Sequence, residues 1–255
     1  MRKSVKNILI NVVYAAVVLG IAFGVWAVAA AAVGSQFILP DIRSTFEALG
    51  TLFFERAFAV GLAGTLFRCA LGYAISVAIF FVLFFFSTAF KGFGRVAEPI
   101  VAALRTLPTL ALSLILAVWV GGYTMPVVLG VLVIMPILYS SAKARIATID
   151  RELGEICVIL GAGKWQKFRA LWFPHLAAAL PESLASAFSY NIKAVIGAEI
   201  LASTADSLGM LMNGSYAYLQ TANLIALTLV AVVVSVACEF VLRTALGVAL
   251  KKYRD

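Results

Sequence analysis

An all-α, multi-pass membrane protein is the fold class this 255-residue sequence predicts. Three observations predict it. Hydrophobic residues make up 63% of the chain and charged residues only 13%, against about 45–50% and 25% in soluble domains. Apolar runs of about 18 residues or more recur, which is the length that crosses a bilayer as a helix. The runs are continuous rather than alternating, which argues against a transmembrane barrel.

About six spans follow from these runs. The first occupies residues 8–33, an apolar run of about 26 residues. A secretory signal peptide is the rival reading, because Ala-rich AVAAAAVGSQ resembles a cleavage region. The run is too long for a signal core of about 7–15 residues, so a retained span is expected. Residues 34–56 are mixed, with Pro40, Asp41, Arg43, Glu47 and Glu55, and suit an outer segment with a short interfacial helix. The second span is 58–86, and 87–95 reads as a short inner loop. The third span, 96–120, is interrupted by Pro108, and 121–124 is a tight outer turn. The fourth span is 125–141, with Pro126 and Pro136. The three prolines are expected to kink their helices. The fifth span is 181–201, the sixth 223–249, and 202–221 is a polar outer loop. Residues 1–57 thus form a first span with an outer segment, 58–250 the transmembrane core, and 251–255 a tail.

Six spans place both termini on one face. The basic segments at 2–6, 91–95, 143–169 and 251–254 all fall on that face. The other face has only Arg43 and Arg56, balanced by acids. Lys and Arg stay on the cytoplasmic side, so both termini are expected inside. Topology therefore explains the net charge of +8, and nucleic acid is not an expected partner.

Metal and catalytic chemistry have little to stand on. The three cysteines form no paired motif, and His175 is the only histidine. No metal site and no catalytic residues are expected. Gly161-Ala162-Gly163-Lys164 hints at a phosphate-binding loop, but Val158 and Trp165 stand where that motif needs Gly and Ser or Thr. No nucleotide site or other cofactor is visible in the chain.

The longest polar island, residues 150–174, reads DRELGEICVILGAGKWQKFRALWFP. Residues 152–160 are good helix formers, and Asp150 can cap them. Gly161 permits a left-handed cap and a change of direction. Residues 164–173 can form a second short helix, with Trp165, Phe168 and Trp172 on one face and Pro174 as its stop. Trp and Lys at a headgroup layer would explain this composition, but not the spacing of Glu155, Gly161 and Pro174.

That spacing resembles the EAA loop of permease subunits of ATP-binding-cassette (ABC) importers. The family pattern is E-A-A, three residues, G, nine residues, I, one residue, L-P. Glu155, Gly161 and Pro174 fall in register, and Leu171 takes the Ile place. Ile156 and Cys157 replace the alanines, and Phe173 replaces Leu. Trp165, Phe168 and Arg169 look like the pattern of the nitrate/sulfonate/taurine-type branch, with Gly163 where Ser is usual. Thr65-Leu66-Phe67-Arg68 with Gly72 is similar to its T-L-x-R-x-x-x-G. Glu98-Pro99 with Leu104-Arg105 and Pro108 is similar to its E-P-x-x-x-x-L-R-x-x-P. Lys193 to Glu199 looks like the end of its A-W-K-x-x-V-A-A-E, with Asn191 and Ile192 in place of Ala-Trp, and Ser207-Leu208-Gly209 resembles its G-L-G.

The resemblance covers about residues 58–250. It implies the type I ABC importer permease fold in a bacterial inner membrane, and a transporter subunit rather than an enzyme. A coupling loop at about 145–180 would carry Glu155, Gly161, Ala162, Gly163, Lys164, Trp165, Phe168 and Pro174. Implied partners are two ABC ATPases, which bind the ATP, a second permease copy as homodimer or heterodimer, and an extracytoplasmic substrate-binding protein. Implied substrates are small anions such as sulfonates, nitrate or taurine-like compounds, or vitamin-related compounds.

Ionisable residues inside spans need a reason, since each costs about 2.5–3.5 kcal/mol at the bilayer centre. Arg68 and Lys193 fall near the midplane. With Arg105 and Glu199 they are candidates for a translocation path. Alternatively, Arg68 or Lys193 pairs with Glu199 or with backbone carbonyls. Glu239 and Arg243 are spaced for a local ion pair. The rival function is an ion-coupled secondary transporter, which usually shows an internal repeat and more midplane acids. Neither is visible in this chain.

Overall fold

The computed structural model describes residues 2–251. Residues 1 and 252–255, and the side chains at 2–9, 11, 12, 15, 91, 151, 158 and 164, lie outside the described part. Among the described residues all regular structure is helical. In order the helices are α1 (Arg2–Val33), α2 (Ile42–Leu52), α3 (Arg56–Ala89), α4 (Lys91–Thr106), α5 (Thr109–Trp119), α6 (Met125–Ala147), α7 (Arg151–Ile159), α8 (Lys164–Lys167), α9 (Phe173–Ala202), α10 (Leu208–Ala217) and α11 (Thr221–Ala249). A π-helical segment, Phe168–Trp172, joins α8 to α9.

Four helices, α1, α3, α6 and α11, are long and apolar enough to cross a membrane. The pair α4 and α5 makes a fifth if counted as one span, but it is bent by 97°. This corrects the expected third span, which is two helices rather than one kinked helix. The cause is local. Pro108 holds extended backbone at the N-cap of α5, and Leu107 before it is extended too. Proline disfavours helical backbone in its predecessor. Pro126 and Pro136 behave otherwise: Pro126 lies in the first turn of α6 and Pro136 within that unbroken helix.

The fifth expected span lies within α9, whose 30 residues extend about 45 Å at 1.5 Å per residue. It stays outside the apolar set because Asn191, Lys193 and Glu199 dilute it. Asn191 and Glu199 are fully buried in protein. The inner loop expected at 87–95 is also corrected: α3 runs to Ala89 and α4 starts at Lys91, which leaves Phe90 as the only link. The polar outer loop contains α10.

The chain divides into two compact units. The first comprises residues 1–59 and 211–230. Here Asp41 caps α2 by accepting from the Ser44 N–H at 2.7 Å. Trp26 Nε1 donates to the Pro40 carbonyl at 3.0 Å and ties α1 to the start of that turn.

The second unit comprises residues 60–210 and 231–255. Its main packing is α6 against α9, with a core of Phe80, Phe84, Val101, Ile134, Leu138, Leu176, Leu180 and Leu184. Asn191 Nδ2 donates to the Cys69 carbonyl at 2.7 Å and pins α9 to α3. A Cβ at Gly130 of α6 would stand 2.5 Å from Asn191 Oδ1, so a larger residue there would have to displace the amide that makes this tie.

Candidate functional site: an exposed loop, a buried tie and a cationic cavity

The island of residues 150–174 folds as a helix, a glycine turn and a helix. Gly161 closes α7 in the left-handed region, with φ +65°. The Ala162 N–H donates to the Cys157 carbonyl at 2.9 Å, the long bond of a Schellman cap. The Gly163 N–H then donates to Gln166 Oε1 at 2.8 Å, which satisfies one open amide at the start of α8. Pro174 does not stop the second helix, as the sequence suggested. It lies in the first turn of α9. The π-helical turn just before it supplies the adjustment, because proline has no N–H and its ring would collide with the carbonyl four residues back.

The expected aromatic ridge forms in part. Trp165 and Phe168 stack at 5.7 Å, and Phe85 of α3 meets both edge-on. Trp172 is turned away, with Lys167 Nζ 5.6 Å from its ring. It joins Glu155 in the wall of a cavity of about 690 Å³ between α7 and the end of α6. Glu155, Gly161, Gly163 and Trp165 are exposed. Sequence reading missed the apolar stripe along α7 and the residue that follows it, Leu160. Leu153, Ile156 and Leu160 recur at i, i+3 and i+7, and with Ile159 they face outward, Leu160 and Ile159 at 77% and 82% exposure. The helical spacing could have revealed it.

Arg68 and Glu199 meet in the protein interior. Arg68 Nη1 lies 2.8 Å from Glu199 Oε1, and neither side chain is more than 2% exposed. Arg68 Nη2 also donates to the Ala205 carbonyl at 2.7 Å, and its guanidinium lies 4.8 Å from the Tyr123 ring. Thr65 Oγ1 donates to Glu199 Oε2 at 2.8 Å and accepts from the Leu208 N–H at 2.9 Å. The Gly209 N–H donates to the same carboxylate oxygen. These bonds fasten α3, α9 and the segment 203–209 together. Ser207-Leu208-Gly209 is thereby explained: a Cβ at Gly209 would meet Glu199 Cβ at 2.3 Å.

Arg105 and Lys193 are brought together elsewhere. They line one cavity of about 350 Å³ with Tyr190, Thr109 and apolar residues of α4, α5, α6 and α9. Both cations are exposed, and Lys193 Nζ lies 5.3 Å from the Tyr190 ring. The cavity sits at the break between α4 and α5, where Arg105 occupies the last turn of α4. Glu239 and Arg243 form the expected pair at 2.9 Å. Among the described residues, no group of three or more His, Cys, Asp or Glu could hold a metal ion.

A broken helix pair, a buried polar tie and an exposed loop on apolar helices define a multi-pass helical membrane protein. Residues 89–254 match the family described as binding-protein-dependent transport system inner membrane component, and the chain belongs to it. It is a multi-pass protein of the bacterial inner membrane and a permease subunit of an ABC importer. Among curated proteins it is similar to the taurine transport system permease protein TauC of Escherichia coli strain K12. The two are 27% identical over 86% of this chain and 81% of that one. It is 26% identical to the formylaminopyrimidine transport permease protein ThiX of Halalkalibacterium halodurans, over 69% of each chain. In fold it is similar to a chain of a bacterial alginate ABC transporter crystallised with a periplasmic protein bound to alginate pentasaccharide. There the TM-score is 0.61 at 15% identity, over 77% of this chain and 81% of that one.

Proposed function

We propose that this chain is the membrane half of an ATP-driven importer for a small organic anion, coupled to a cytoplasmic ATPase through residues 145–180. The observation that carries the reading is the exposed helix, glycine turn and helix at 151–172. Its apolar stripe is exposed, as is much of Trp165 despite its stacking on Phe168, and both suit a cleft on another protein. Glu155, Gly161, Ala162, Gly163, Lys164, Trp165, Phe168 and Pro174 are the loop positions assigned to this role. ATP is bound by the partner. By analogy with the family, the assembly holds two ATPases, a second permease copy and an extracytoplasmic binding protein.

On this reading Arg105 and Lys193 lie on the translocation path. Arg68 and Glu199 act differently. Buried and bonded to each other, they hold α3, α9 and segment 203–209 in register. The decisive experiment is gentle solubilisation and affinity isolation of the tagged chain. A P-loop ATPase recovered at about one per permease supports the reading, and Gly161→Asp should weaken its recovery or abolish uptake. Isolation of the chain alone, in a detergent that preserves known complexes, would overturn it.

A further inference from the structure

We propose that the cavity between the end of α1 and the start of α2 holds the headgroup of a phospholipid that carries both a phosphate and a primary ammonium, the chemistry of phosphatidylethanolamine. The occupant is a bilayer lipid, so the inference depends on the membrane-spanning helices and not on the cargo or the ATPase. Three features of the cavity lead to it.

The first is depth. The apolar window of α1 ends at Val33, and the chain turns directly after it at Gly34, with φ +64°. Trp26 Nε1 donates to the Pro40 carbonyl and holds that turn against α1. Phe37 and Ile38 stand 69% and 71% exposed on the turn. Exposed apolar side chains at the end of a span, beside ionised ones, suit the layer between acyl chains and headgroups. The second is shape. The cavity has a volume of about 460 Å³, within the roughly 300–1,000 Å³ of ligand pockets. Ala27, Ala30 and Ala31 form its wall inside the apolar window, and Gln36, Asp41 and Arg43 form its polar rim beyond Val33. The short alanine side chains leave room for the top of an acyl chain below the headgroup.

The third is charge. One carboxylate and one guanidinium reach the same space. Asp41 Oδ1 accepts from the Ser44 N–H at 2.7 Å, and Oδ2 accepts from Gln36 Nε2 at 3.0 Å. A carboxylate has about four acceptor sites, so sites remain for an ammonium. Arg43 is held through Nε, which donates to Glu47 Oε1 at 2.8 Å. Among the described residues its two terminal nitrogens have no partner, and they form the fork that takes a phosphate. The Arg43–Glu47 pair lies in water, its side chains 88% and 64% exposed, where such a pair contributes little. A phosphatidylglycerol bound here would bring its phosphate beside Asp41 with no cation of its own, and like charges at close range repel. A headgroup with both charges satisfies Asp41 and Arg43 together.

The test is native mass spectrometry of the full chain, titrated in detergent with phosphatidylethanolamine, phosphatidylcholine and phosphatidylglycerol of matched acyl chains. Phosphatidylethanolamine should bind at least about fivefold more tightly than the other two, the effect of one exposed charge contact. Phosphatidylglycerol lacks the ammonium, and the trimethylated group of phosphatidylcholine has no N–H to donate to Asp41. Asp41→Asn still caps α2 but loses the charge, and it should cost about fivefold, as should Arg43→Gln. Arg43→Lys should retain most of the binding, since lysine also holds phosphate as a point charge. Ala31→Leu keeps both charges but fills the wall, and it should weaken binding too. A phosphatidylethanolamine with a photoreactive group at the top of one acyl chain should crosslink within residues 27–43. Each variant is checked for a monodisperse profile and wild-type helix content, so a misfolded chain is not mistaken for a lost contact. Equal affinity for the three lipids would overturn the proposal, as would crosslinks found only elsewhere or wild-type binding by both Asp41→Asn and Arg43→Gln. So would a disulfide between two Ala31→Cys chains whose native cysteines are replaced by alanine, because a second copy would then cover the cavity.

Discussion

Arg68 shows how one residue can mislead until its neighbours are known. A lone arginine near the middle of an apolar run reads equally as a ligand for cargo or as half of an ion pair. The structure places Glu199 and two carbonyls around it. Removing one partner of a buried pair leaves an uncompensated charge and costs about 3–5 kcal/mol. Arg68→Met and Glu199→Leu should therefore each lower the unfolding temperature sharply in detergent. The combination of Arg68→Met with Glu199→Leu should cost less than the sum of its parts. A strictly additive double mutant would mean the two groups do not depend on each other. Gly209→Ala should be damaging as well, because its new methyl group collides with Glu199 Cβ and the Ile200 amide.

At the scale of elements, caps and breaks decide the geometry. Gly161 holds positive φ, a backbone that costs an ordinary L-residue about 1–2 kcal/mol and asparagine less. Uptake should survive Gly161→Asn better than Gly161→Val, since a β-branched side chain fits that backbone worst. Equal uptake by the two variants would remove the backbone argument for this glycine. The start of α2 offers a pH test. The Ser44 amide and hydroxyl, with Gln36, hold the Asp41 carboxyl below its ordinary value. A carboxylate favoured in the folded state stabilises above its unfolded pKa and loses that stabilisation as pH falls through its folded value. Amide exchange in α2, corrected for the intrinsic pH dependence of exchange, should thus become faster below about pH 4. Asp41→Ala should be fast at every pH.

For the molecule as a whole, the testable quantity is orientation. The loop carrying Cys157 belongs on the cytoplasmic face if basic segments stay inside. In a variant with Cys69→Ala and Cys238→Ala, an impermeant maleimide should label Cys157 in inside-out vesicles and leave it unmodified in intact spheroplasts. The reverse pattern would invert the topology and remove the ATPase from reach. Much of this scale was legible in the sequence. Continuous apolar runs gave the helices, and the spacing of Glu155, Gly161 and Pro174 gave the loop with its glycine cap. The break at Pro108 was visible only as a proline, because sequence does not state whether the chain bends slightly or turns by 97°. The role of Pro174 was misread, since a proline in a helix's first turn and one just past its end look alike in sequence.

The sequence by itself determined what depends on local composition and spacing: an all-helical membrane protein, the glycine-capped turn at Gly161, and the family. Hydrophobic length and backbone freedom act over neighbouring residues, so they can be read along the chain. Only the tertiary structure decided which charges meet. Arg68 found Glu199 across 131 positions, and Asn191 found the Cys69 carbonyl across 122. Such partnerships arise when helices pack, and no periodicity records them. That is why four candidate path residues became a buried tie at Arg68 and Glu199 and an open cationic cavity at Arg105 and Lys193.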